Sequence, residues 1–163
     1  MFTTPALRAE RRRGQLAASG LQLLGVRTAA GAEGLPTERS IWRRVADLSL
    51  TPLRVIPDTE HDAVYGEWLA LAEELQIVGP DRSFLISVPT PGPELGWAAV
   101  RATAETRLPN DGIEEFVAVS EDGRRYSAVT AEENGWWLIG GETGGPGGPA
   151  QPGQRGGPGQ PPR

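Results

Sequence analysis

The sequence predicts an α+β fold: N-terminal helices packed on a four- to five-stranded antiparallel β-meander, with a disordered Gly/Pro-rich C-terminal tail. Three observations carry this. Apolar residues follow a helical period up to residue 78 and a period of two from Ser83 onward. The later apolar runs are joined by "PNDG", "SEDG" and "EENG", each ending in glycine, which suits tight turns between antiparallel neighbours. The last 23 residues, from Gly141, hold nine Gly and six Pro and can bury almost nothing. A chain of 163 residues has room for one adequate core. The expected division is a basic arm or weak helix (1–36), an α+β domain (37–140) and the tail (141–163).

The first segment admits three readings. A helix could use Leu16, Leu23 and Leu24, but Gly14, Gly20 and Gly25 each cost about 1 kcal/mol against Ala. An export signal of twin-arginine type would place Arg12 and Arg13 before a weakly apolar stretch and cleave near "AGA" at 30–32. A flexible basic arm is the reading adopted.

The next segments are more regular. Thr37 can cap a helix that places Ile41, Val45 and Leu48 on one side. Residues 51–58 hold two prolines and read as extended. Thr59, with Asp62 in the capping-box position, opens a second helix whose stripe is Val64, Trp68, Leu71, Leu75 and Val78, and "GP" at 79–80 ends it. Five strands follow: "SFLISV", "GWAAVRATAETRL", "IEEFVAV", "RRYSAVT" and "WWLIG". "PTPGPEL" links the first two and is long for a hairpin. In the last strand Trp136 and Trp137 face opposite ways, so the sheet must be covered on both sides or leave one Trp for a partner. Trp97 and Phe116 are candidates to join that patch.

Composition excludes several chemistries. Without cysteine there is no disulfide, thiolate metal site or Cys nucleophile, and the absence suits a reducing, cytoplasmic setting; the alternative is export by the signal above. The net charge of −5 conceals +5 over residues 1–56 and −10 over residues 57–163. Arg8, Arg11, Arg12, Arg13, Arg43 and Arg44 could meet phosphates, but the acidic body weighs against nucleic acid. No apolar run is long enough for a membrane span. His61, among Asp58, Glu60 and Asp62, reads as a charged helix start, and the Glu73/Glu74, Glu114/Glu115 and Glu132/Glu133 pairs read as solvated surface. No phosphate-binding or nucleophile-elbow motif occurs, so no catalytic residue, cofactor or metal is assigned.

The expected function is a small non-catalytic protein-interaction or regulatory module, with Trp97, Phe116, Trp136 and Trp137 as binding candidates and a protein as partner. Helices followed by strands ending in "GWWL" (135–138) also resemble, over about 80 residues, the cone-shaped folds similar to nuclear transport factor 2. That resemblance implies a ligand or enzymatic pocket between the helix of 59–78 and the sheet.

Overall fold

The computed structural model describes residues 4–29, 34–47 and 49–144. Its fold is α+β, built around one seven-stranded, fully antiparallel sheet. The helices are α1 (Pro5–Ala18), α2 (Glu38–Val45) and α3 (Val64–Glu74). The strands are β1 (Gln22–Arg27), β2 (Arg54–Pro57), β3 (Ser83–Ser87), β4 (Trp97–Arg101), β5 (Phe116–Val119), β6 (Arg125–Glu132) and β7 (Gly135–Glu142). They lie in the order β1-β4-β3-β5-β6-β7-β2.

The five strands expected from alternation form the middle of the sheet, and β1 and β2 extend it at the two edges. Strands β5, β6 and β7 are a meander, and β3 and β4 are a hairpin. The connection from β4 to β5 instead crosses β3. The strand expected to run through Leu108 stops at Arg101, because the Thr103 and Thr106 hydroxyls turn the chain aside by donating to the Gly20 carbonyl at 2.6 and 3.0 Å. The "PNDG" turn does form, with the Asn110 side chain accepting from the Gly112 and Ile113 amides at 2.8 and 2.9 Å. It belongs to the crossing rather than to a hairpin. At "SEDG", Gly123 takes φ +75°, and a Cβ there would lie 2.3 Å from the Gly34 carbonyl oxygen.

Both faces of the sheet are covered. On one, α1 and α3 bring Leu16, Val64, Trp68 and Leu71 onto Phe84, Ile86, Val100, Phe116 and Leu138. On the other, α2 brings Ile41 and Val45 onto Leu85, Trp97, Val117, Val119 and Ile139. Burial on both faces makes β3 and β5 apolar or small at nearly every position. Strand β2 follows Pro52 and ends in Pro57, which fits an edge because proline cannot donate to a neighbour.

Three boundaries differ from expectation. Residues 4–27 form α1 and β1 rather than an arm. Thr4 caps α1 by accepting from the Leu7 amide at 3.1 Å, Gly14 faces open space, and Gly20 and Gly25 lie beyond the helix end. Thr59 caps nothing: Asp58–Ala63 is a 3-10 turn, α3 starts at Val64, and it ends at Glu74, before Gln76 at φ +63°. The stripe is therefore helical only through Leu71; Val78 is buried from the following loop. Finally, Gly141 and Glu142 belong to β7, and Thr143 donates to the Gly123 carbonyl at 2.7 Å. The expected tail from residue 145 onward, the "AGA" at 30–32, and Leu48 of the expected α2 stripe lie outside the described residues.

Removal of everything from Gly141 onward is accordingly expected to cost about 2 kcal/mol or more. It takes away the β7 partners of Arg125 and Tyr126 and the carbonyls of Glu142 and Thr143 that Arg44 holds at 2.7 and 2.9 Å. Urea midpoints of chains ending at Gly140 and at Gly144 measure the difference.

Candidate functional site

The four sheet aromatics do not form one patch. Trp97 and Phe116 are 1% and 0% exposed and lie on opposite faces. Trp136 is half-buried on the α3 face, where the His61 ring lies 5.2 Å from its own. Trp137 is half-buried on the α2 face, opposite Val55 of the edge strand. The opposite pointing of the two tryptophans is as expected; their coverage comes from within the chain.

The basic candidates are likewise dispersed. Arg8 and Arg12 are buried in the fold, Arg13 pairs with Glu10, and Arg44 caps carbonyls while lying 5.6 Å over the Tyr126 ring. Arg11 and Arg43 remain exposed. His61 is exposed with Asp62 3.7 Å away. Glu74 pairs with Arg54 at 3.3 Å, and Glu115 accepts from the Ala131 amide at 2.9 Å. Among the described residues, no group of three or more His, Asp or Glu side chains is placed to hold a metal ion, and no helix is long and apolar enough to cross a membrane.

The structure gathers a different set. Helix α2 starts at Thr37, whose hydroxyl accepts from the Ser40 amide at 3.1 Å. This cap sets Glu38 at the first helical position and Trp42 one turn later, on the same side. Opposite them runs the β3–β4 connection, "VPTPGPEL" (88–95), with prolines at 89, 91 and 93. Between helix and loop opens a cleft of about 470 Å³, lined by Glu38, Arg39, Trp42 and residues 87–95. A smaller one, about 280 Å³, shares Glu38 and Glu94 and reaches Trp97.

Helix α1 holds this loop from behind. Arg8 Nε donates to the Pro91 carbonyl at 2.8 Å and Nη2 to that of Pro93; Arg12 Nη1 donates to the Gly96 carbonyl at 2.5 Å. Prolines supply no amide donor, so their carbonyls need such partners when a strand cannot provide them.

The floor is a closed polar network. One Glu38 carboxylate oxygen accepts from the Gly96 amide at 2.8 Å and the other from Ser87 Oγ at 2.6 Å. Ser87 Oγ in turn accepts from the Trp42 indole N–H at 3.0 Å. Arg12 stands 3.8 Å from Glu38, and both side chains are more than nine-tenths buried. Burial pushes the Glu38 carboxyl above its ordinary range, against the hydrogen bonds from Ser87 and Gly96 and the charge of Arg12. Burial also lowers the Arg12 guanidinium, against the attraction of Glu38. Chemically, this is a neutralised ion pair whose hydroxyl and indole partners are already committed.

Sequence reasoning missed Glu38, Trp42, Ser87 and the role of the proline loop. A local signal existed for the clamp: Arg8, Arg12 and Leu16 recur every fourth residue after a Thr-Pro start, marking a helix face that the glycines obscured. Where the cone-fold resemblance implies a pocket, the middle of the helix–sheet interface is filled, and a cleft of about 330 Å³ lies at its edge, between β2 and Glu60, Ala63 and Glu67. Trp68 fills the α3–sheet interface, stacking edgewise on Phe84 and Phe116 at 5.4 and 5.0 Å, with its indole N–H on Ser127 at 2.6 Å. Comparison with family models, with curated proteins and with solved structures finds no match to this chain in any of the three.

Proposed function

We propose that the chain is a small non-catalytic protein-interaction module whose contact surface is the cleft between α2 and the proline loop. The single observation that carries this is Trp42. It is partly buried against the α2-side core with its remaining surface on the wall of an open cleft, and its indole is pinned by Ser87, so its ring is presented without having to be ordered on binding. The loop opposite is pre-set by its prolines and by Arg8 and Arg12. Rigid aromatic anchors in prepared clefts are the usual centres of binding energy. The commitment of Glu38 and Ser87 to each other, to Gly96 and to Trp42 favours binding over catalysis, since a general base must have a reactive proton within reach.

The proposed partner is a protein and the proposed setting is the cytoplasm. An export signal cleaved near residue 32 would remove β1 from the sheet and Arg12 from Glu38, which supports the cytoplasmic reading.

A photoactivatable phenylalanine analogue at position 89, in the cleft, compared with one at position 70, on the exposed side of α3, tests the reading in cells making the protein. A discrete adduct is expected from position 89 alone, and it should disappear with Trp42→Ala. The same adducts from both positions, or none from position 89, would place the contact surface elsewhere.

A further inference from the structure

The cleft's own bonding says what it can recognise. Every polar group on its floor is engaged within the chain: Trp42 Nε1 on Ser87, Ser87 Oγ and the Gly96 amide on Glu38. On the loop, the Thr90 hydroxyl donates to the Val88 carbonyl at 3.0 Å. A polar ligand group buried against this floor would lose its water and gain no fresh side-chain donor there, at a cost that disfavours it. The remaining surface is the Trp42 ring, Val88, Leu95 and the proline rings. Such a slot accepts an apolar side chain.

Charge at the rim adds direction. Glu94 is already engaged at the start of α2, where one of its oxygens accepts from the Arg39 amide at 2.9 Å and where a negative charge suits the helix. The Arg39 side chain lines the same cleft, is exposed, and forms no ion pair among the described residues. A guanidinium at a cleft mouth is suited to a carboxylate.

Building on the interaction reading above, we propose that the cleft binds an extended segment of a partner protein that carries one aromatic or long aliphatic side chain, flanked within about three residues by Asp or Glu. The apolar side chain enters against Trp42 and the proline rings, and the carboxylate meets Arg39. Anchor and charge then divide the work, the first giving affinity and the second setting the direction of the bound segment.

Panning a phage-displayed random dodecapeptide library on the full chain tests this, followed by fluorescence anisotropy of a selected peptide. The expected consensus is an apolar residue with an acidic neighbour. Binding should weaken about tenfold or more with Trp42→Ala. It should weaken about tenfold with Arg39→Glu, and a peptide with Lys in place of its acid should then bind Arg39→Glu better than the original does. Arg39 is exposed, so that variant reports on the ligand without disturbing the core. Peptides that need Trp42 but show no acidic preference, or that ignore Arg39→Glu, would overturn this inference and leave the cleft as a binding surface. Peptides indifferent to both substitutions would overturn the cleft reading with it.

Discussion

Replacing Arg12 with Ala is expected to lower the unfolding free energy by about 3–5 kcal/mol, because it strands the buried Glu38 charge without its counter-ion. It also frees the Gly96 carbonyl, which Arg12 holds at 2.5 Å. Pairing the change with Glu38→Gln should recover a large part of the loss, since the amide carries no charge to compensate and can still face Ser87 and Gly96. Urea denaturation of the two single variants and the double variant measures the coupling directly. A double variant as unstable as Arg12→Ala alone would show that loop anchoring, rather than charge, dominates at this position.

The same residue sets a pH dependence of definite sign. The Glu38 carboxyl is raised in the folded chain, chiefly by burial, so the native state holds this proton to higher pH than the unfolded chain does. Below the ordinary Glu range both states are protonated and the group favours neither. As pH rises from there through the raised native value, its contribution to stability falls. Glu38→Gln should remove that part of the profile and leave other slopes unchanged.

Trp68→Ala should be the other severe substitution, at about 3–5 kcal/mol. The ring is fully buried between Phe84 and Phe116, and its loss also orphans the Ser127 hydroxyl that its N–H meets at 2.6 Å. By contrast, Trp136→Ala and Trp137→Ala should each cost less, about 1–2 kcal/mol, because their rings are only partly buried and keep some contact with water. Thermal or urea unfolding of the three variants side by side gives the order. A sheet tryptophan as costly as Trp68 would mean that its face is packed more tightly than its exposure indicates.

Local signals made much of the fold legible. Thr37 and the Ile41/Val45 spacing announced α2, and alternation located β3 through β7. What escaped was set by distant residues. The charged face of α1 gains sense from Glu38 and from Pro91, Pro93 and Gly96, the last three more than 80 positions away. A buried arginine looks like a solvated one until its acceptors are in place. The candidate site was hidden for the same reason, because its helix wall and its loop wall are remote in sequence and each is unremarkable alone. For the paired tryptophans, alternation established that they diverge, but only the position of α2 and of His61 decides what each one meets.

The strand order has a consequence for how the chain comes together. Of the seven strands, the first two in chain order are the outermost two in the sheet, and each pairs with a strand made much later: Gln22 with Arg101, Arg54 with Leu138. The hairpin and the meander close through far shorter connections than β1 and β2, whose longer closures carry an entropic cost that delays them. When β1 and β2 leave the ribosome, their partners β4 and β7 have therefore not yet been made. Assembly is accordingly expected to run from the middle of the sheet outward, opposite to the order of synthesis at both margins. Until β4 and β7 exist, the exposed Leu24, Val26 and Val55 of those marginal strands ride on unpaired backbone. That interval, rather than the finished fold, is when this chain is most open to pairing with the wrong neighbour.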